Sequence, residues 1–258
     1  MSSITFKGDV FGNIIDLLTN LLETCVIIFT KESIRIKTID SSMVCLISVE
    51  LNDIYTECKL KTEQEIGVSL VELAKIMSCK GKNDDCKIKF NGDDIQLIFT
   101  NENNKRGDKY KLKLLDLEGM DPGDPEIEPT TQMTLSSKYF AELCKKIQKF
   151  EDKKDGSLGI SFEKLTSDVI FTTGSENMVE LTLEKGEDKL ESLKIEEDIK
   201  FRVLLRYILF FSKAEKFAEE VTLTIHKEDD EMSPLEVSYE FGESYIKFHT
   251  SPQIEDDD

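Results

Sequence analysis

The segment "EGMDPGDPEIEPTTQ", residues 118–132, divides the chain. It holds three prolines and five acidic residues. Neither a helix nor a strand tolerates that composition, because proline lacks the amide donor and fixes φ. Extended at about 3.3 Å per residue, a dozen such residues span roughly 40 Å. The segment reads as a connector between two domains of similar length, one over 1–117 and one over 133–258.

The two sides repeat one order of elements. The first opens with a strand pattern, "SITFK", and a helical one, "DVFGNIIDLLTNLL"; the strand patterns "CVIIFT", "SIRIKTID" and "MVCLISVEL" follow. The second opens with "QMTL" and the helical "SSKYFAELCKKIQKF", then "LGISFEK", "DVIFTTG" and "MVELTLE". Each side then has a second helical pattern, "SLVELAKIMSC" in one and residues 202–217 in the other, followed by more alternating segments. Asp9 and Ser136 are the expected N-caps of the two opening helices. Strands with two helices, twice over, predict duplicated α+β domains.

Charge then restricts function. The chain of 258 residues carries 33 Lys+Arg against 52 Asp+Glu, a net charge of −19. Such a molecule repels nucleic acid at long range, so any nucleic-acid surface must be a local exception. No run of eighteen apolar residues is present and no membrane partner is expected. "MSSITFKGDV" lacks the basic and apolar regions of a secretory signal, which predicts an intracellular protein. The six cysteines form no C-x-x-C pair, and only His226 and His249 could join them, so reduced, mostly buried thiols are expected, with no metal and no cofactor.

Against that background the residues "RVLLRYILFFSKAEKF", 202–217, place Arg202, Arg206, Lys213 and Lys216 at spacings of four, seven and three. On a helix at about 100° per residue they form one narrow stripe behind Leu204, Tyr207, Ile208, Phe211 and Ala214. Lys138, Lys145, Lys146 and Lys149 do the same on the opening helix of the second half, opposite Leu143 and Ile147, with Glu142 inside the stripe. The helix at 69–79 offers Lys75, with Lys80 and Lys82 at its end, whereas the helix at 9–22 carries only Asp9 and Asp16. Each stripe alone fits a solvated helix face. Three basic faces of four in an acidic chain suit a polyanion passing along one surface, held through its phosphates without base reading.

Over nearly its whole length the chain resembles the proliferating cell nuclear antigen family, the eukaryotic sliding clamps. The resemblance rests on "IDSSMVCL" (39–46), "GVSLVELAKIMSCKG" (67–81), "YKLKLLDLE" (110–118), "YFAELC" (139–144), "LLRYILFFSKA" (204–214), "SPLEVSY" (233–239) and "SPQIEDDD" (251–258), in that order. It implies clamp domains with antiparallel sheets and two helices each. They would assemble as a homotrimeric ring around double-stranded DNA, with the helices lining the hole. Lys75, Lys145 and Lys213 match channel lysines of the family, and Arg206 lies in the matching "LLRY". Gly12, Asn13 and Thr19 stand where the family carries lysines, and Ser78 replaces another; Lys80 and Lys82 are expected to compensate in part.

The resemblance also implies a partner-docking pocket from Ile39, Met43, Val44, Leu46, Met120, Pro125, Pro234, Pro252 and Ile254. DNA polymerase, clamp loader and other proteins with a short motif would dock there. Pro122 and Asp124 replace an aliphatic pair of the family's connector, and His249 replaces a tyrosine. "KYKLKLLDL" and "NMVELTL" match the strands that join subunits, which assigns Tyr110, Leu112, Leu114, Met178, Val179 and Leu181 to the interface. Lys164 matches a regulatory modification lysine; a plain surface lysine is the alternative. The implied place of action is the nucleus, or a site of viral DNA replication.

Other functions stay open at this stage. No G-x-S-x-G, H-E-x-x-H, P-loop or G-x-G-x-x-G is present, so no catalytic residue is assigned and no enzyme is expected. A checkpoint-type subunit of a heterotrimer would share the fold and differ in the complementarity of its two edges. An acidic adaptor without DNA binding is the third reading.

Overall fold

The computed structural model describes residues 2–101, 103, 105, 107–119, 123, 130–151, 156–173, 179–184, 186, 189–228 and 231–253. The chain forms two compact units. One comprises Met1–Ser41, Ile47–Pro122 and Gly242–Tyr245, the other Ser42–Leu46, Gly123–Phe241 and Ile246–Asp258.

In chain order the first half holds β1 (Ser3–Lys7), α1 (Gly8–Leu18), β2 (Thr24–Phe29), β3 (Ser33–Ile39), β4 (Cys45–Asn52), β5 (Tyr55–Lys59), β6 (Gln64–Ser69), α2 (Leu70–Ser78), β7 (Asp85–Phe90), β8 (Asp94–Thr100) and β9 (Asp108–Lys113). The second half holds β10 (Thr131–Ser136), α3 (Ser137–Gln148), β11 (Ser157–Glu163), β12 (Asp168–Thr173), β13 (Val179–Leu183), β14 (Leu190–Ile195), β15 (Ile199–Leu204), α4 (Leu205–Phe211), a 3-10 turn (Ser212–Lys216) and β16 (Glu220–Ile225). The short β17 (Lys227–Glu228) and β18 (Glu231–Met232) precede β19 (Leu235–Phe241) and β20 (Ser244–Thr250).

The duplication extends to strand pairing. β1 lies between β5 and β7, as β10 lies between β14 and β16, all antiparallel. β2 pairs with β3 and β6, as β11 pairs with β12 and β15. By position β9 is therefore the counterpart of β20, and β13 the counterpart of β4. β9 and β13 each end a sheet.

Each unit has its own core. In the first, α1 buries Phe11, Ile14, Ile15, Leu17 and Leu18, and Phe11 meets Phe6 of β1 edge to face at 5.4 Å. In the second, Phe211 of α4 stacks on Phe248 of β20 at 4.6 Å, and Phe140, Tyr207 and Tyr239 are fully enclosed. Four of the six cysteines are buried, and enclosure pushes the thiols of Cys25, Cys86 and Cys144 up to about 12.

Several local expectations change. β5 and β14 escape a search for alternation because they are largely exposed. Asp9 does not cap α1; Lys7 occupies that position and Asp9 lies in the first turn. Ser136 sits at the N-cap of α3 without a capping hydrogen bond, while the Ser69 hydroxyl accepts the Glu72 amide at the start of α2. Residues 202–217 are not one helix. Ile199–Leu204 alternates buried and less buried residues and pairs with β11, so the chain enters α4 only at Leu205. Arg202 accordingly leaves the basic stripe: its Nε and Nη2 donate to Ser157 Oγ at 2.9 and 2.6 Å.

Candidate nucleic-acid interface

The four helices expose unequal charge. α3 turns Phe140, Leu143, Cys144 and Ile147 inward, which leaves Lys138, Glu142, Lys145, Lys146 and the capping Lys149 exposed. α4 packs beside α3, and the 3-10 turn that continues it exposes Lys213 and Lys216. Arg206 is half-buried; its guanidinium lies 5.0 Å from the Tyr207 ring and donates to the Tyr207 hydroxyl at 3.3 Å. Lys216 lies 5.4 Å from the Phe217 ring, and Lys145 reaches Glu215 at 3.8 Å. The second unit thus presents a basic helical face interrupted by Glu142 and Glu215. Exposed ion pairs of this kind contribute little and yield readily to a phosphate.

In the first unit the exposed positions of α1 include Asp9, Val10, Asn13 and Asp16, with no cation. Lys75 of α2 is exposed but paired with Glu72 one turn back, at 2.7 Å. Lys80 corrects the expectation placed on it. Its side chain is only 9% exposed and its ammonium is bound to Asp9 and to the Gly81 carbonyl. Gly8 makes room for the stem, since a Cβ there would lie 2.5 Å from Lys80 Cδ. Lys80 therefore ties the end of α2 to the start of α1 and is not an outward-facing cation. Lys82, in the next turn, is exposed.

The two sheet edges are charged in opposite senses. On β9, Tyr110 and Leu112 face the interior side, Tyr110 against Phe99 at 5.5 Å, and Lys109, Lys111 and Lys113 face out. On β13, Val179 and Leu181 are half-buried, and Glu180, Thr182 and the following Glu184 are exposed or half-exposed. Leu112 is 6% exposed and lies in the chain's own core, so of the interface leucines expected from sequence it is available through its backbone alone. Leu114 follows the strand, its amide bonded to the Asp93 carbonyl at 3.0 Å. Met178 is outside the described residues. The outward charges were legible in the alternation of "KYKLK" and "VELTLE", but they gain meaning only once both strands are known to be edges.

Beyond β9 the chain crosses β6: the Leu115 amide donates to the Gly67 carbonyl at 2.9 Å. Gly67 is required there, since a Cβ would lie 2.5 Å from the Leu115 carbonyl oxygen. Among the docking residues, Ile39 ends β3 in the first unit. Met43, Val44, Leu46, Pro234 and Pro252 belong to the second, where Met43 is 66% exposed and holds a φ of 58°. The Gln253 amide, after Pro252, donates to the Arg202 carbonyl at 2.7 Å. His249 is buried, with Nε2 2.9 Å from Glu236 Oε2. Burial pushes the Glu236 carboxyl up, but the hydrogen bond from His249 and the nearby Lys247 bring it below the ordinary glutamate value. Met120, Pro125 and Ile254 lie outside the described residues. Lys164 is exposed in the β11–β12 turn, its backbone amide bonded to Asp198 at 2.7 Å. Among the described residues no cluster of His, Cys, Asp and Glu has a metal-holding arrangement, and no helix is long and apolar enough to cross a membrane.

The family model for the N-terminal domain of proliferating cell nuclear antigen matches residues 3–121, and that for the C-terminal domain matches residues 123–254. The chain belongs to the proliferating cell nuclear antigen family. A crystal structure of the proliferating cellular nuclear antigen from Entamoeba histolytica has a similar fold, with a TM-score of 0.85 at 23% identity over 98% of this chain and 99% of that one. The fold is thus α+β, two domains of the DNA sliding-clamp type. Membership places the chain among proteins of DNA replication and repair.

Proposed function

We propose that the chain forms a homotrimeric ring that encircles duplex DNA and acts, without catalysis of its own, as a processivity factor and docking platform. The observation that carries this reading is the pair of unmatched edges. β9, the last strand of the first half, and β13 of the second half each end a sheet. An exposed edge calls for a partner, and two different edges of one chain joined head to tail close into a ring when the rotation permits. Their chemistry supports self-association over a mixed heterotrimer: lysines at 109 and 113 on one strand suit glutamates at 180 and 184 on the other, Lys111 being ion-paired with Asp94 at 2.8 Å.

The basic faces of α3 and α4, with Lys75 and Lys82, would meet DNA phosphates, and acid elsewhere would limit adhesion outside the ring. Met43, Val44, Leu46, Pro234 and Pro252 of the second unit would receive short motifs of DNA polymerase, clamp loader and other partners. A helical turn with an aliphatic residue and adjacent aromatics suits such a surface. The place of action would be the nucleus or a site of viral DNA replication, and Lys164 is exposed enough to be modified. Primer extension on long templates tests the reading. Wild type should extend product length, and a Lys145→Ala, Arg206→Ala, Lys213→Ala variant of unchanged assembly should extend it far less. Equal product lengths with both proteins would contradict the basic face.

A further inference from the structure

The first unit lacks a basic helical face, yet it concentrates cations at one end of that face, where β1 gives way to α1 and α2 to β7. Lys7, Lys82 and Lys105 line an open groove of about 740 Å³ together with Asn83 and Asn103. Among the described residues that line it, the acid is Asp85, already paired with Lys7 at 2.6 Å.

The groove is held by a buried carboxylate. Asp84 is 6% exposed; its Oδ2 accepts the Gly81 amide at 2.9 Å and its Oδ1 accepts the Asn101 side-chain amide at 2.8 Å. Its backbone carbonyl accepts the Gly8 amide at 3.4 Å. Three chain segments thus meet at one residue, and each presents a lysine beside the junction. The Asn101 hydrogen bond, foremost, and the Gly81 amide hold the Asp84 carboxyl below the ordinary aspartate value, so it stays ionised and keeps the segments joined near neutral pH.

We propose that this groove is a phosphate-binding site for duplex DNA, taking the part in the first unit that α3 and α4 take in the second. The inference rests on the ring reading above. Lysines supply charge to a phosphate oxygen and asparagine amides supply neutral donors, a combination that grips backbone without reading bases. Lys80 cannot serve, because Asp9 and the Gly81 carbonyl hold its ammonium. Among the described residues, Lys82 and Lys105 are exposed cations at this end.

The test is the salt dependence of binding of a short duplex to the full-length protein, read by fluorescence anisotropy. Wild type is compared with a Lys82→Ala, Lys105→Ala variant and with a Lys145→Ala, Lys146→Ala variant. Each phosphate released from a lysine should reduce the slope by about 0.9, so the loop variant should fall by about 1.8 for each protomer whose groove meets the duplex. A wild-type slope in the loop variant with a reduced slope in the α3 variant would overturn the groove and leave the ring reading standing. Wild-type slopes in both would overturn both. Inorganic phosphate is titrated in parallel, followed by the Lys82 and Asn83 amide resonances. Phosphate binding without any fall of duplex slope in the loop variant would make the groove a small-anion site and overturn the duplex assignment.

Discussion

The ammonium of Lys80, at the end of α2, is ion-paired with Asp9 in the first turn of α1. A lysine that sequence places in a nucleic-acid face is thereby spent on joining two helices. Lys80→Ala should leave the salt slope of DNA binding unchanged, where a lysine engaged on a phosphate would account for about 0.9. It should nevertheless lower the thermal midpoint, because the stem is packed against Gly8. Melting and anisotropy on one preparation separate the two effects.

The opposed charges of β9 and β13 predict a swap. Lys109→Glu with Lys113→Glu should dissociate the assembly, each reversed cross-strand pair costing about 0.2–1 kcal/mol at every junction. Adding Glu180→Lys and Glu184→Lys should restore it. Sedimentation velocity of the three proteins reads the result, and failure of the second pair to rescue would remove the charge pairing.

Met43 occupies the left-handed region, which costs a non-glycine residue about 1 kcal/mol or more. Met43→Gly should therefore hold or raise stability while weakening a motif peptide, since the exposed side chain is removed. Met43→Asp should abolish peptide binding without altering assembly. Titration calorimetry with a peptide bearing a glutamine, an aliphatic residue and two adjacent aromatics checks both.

Gly67→Ala should destabilise the first unit by about 1–3 kcal/mol, because the new methyl group meets the Leu115 backbone carbonyl rather than a side chain that can turn away. Denaturant unfolding measures it.

Glu236 supplies a pH signature. Its folded pKa lies below the ordinary glutamate value, so its contribution is present above about pH 4.3 and is lost as pH falls through that value and then the lower folded one. Glu236→Gln should flatten the fall of the melting temperature with acid over that window. An unchanged acid limb would deny Glu236 a share in it.

Much of the fold was legible because amphipathic periodicity is local: α1, α2 and α3 lie where Phe11, Leu73 and Phe140 recur with their apolar neighbours. The stretch 202–217 misled because Arg202, Arg206, Lys213 and Lys216 keep helical spacing while Ile199, Phe201 and Val203 obey the alternation of a strand, and pairing with β11 decided the matter. Exposed edges such as β5 and β14 carry little apolar signal. The fate of Lys80 was not legible at all, since its acidic partner lies 71 residues away in sequence. Leu112 resembles an interface residue by motif and a core residue by burial, a distinction only the packed sheet draws.

The mass of the protein in solution tests the central claim most directly. Sedimentation equilibrium at micromolar concentration should give about three times the 29.5 kDa of one chain. A species of one or two chains under the same conditions would contradict a ring closed through β9 and β13.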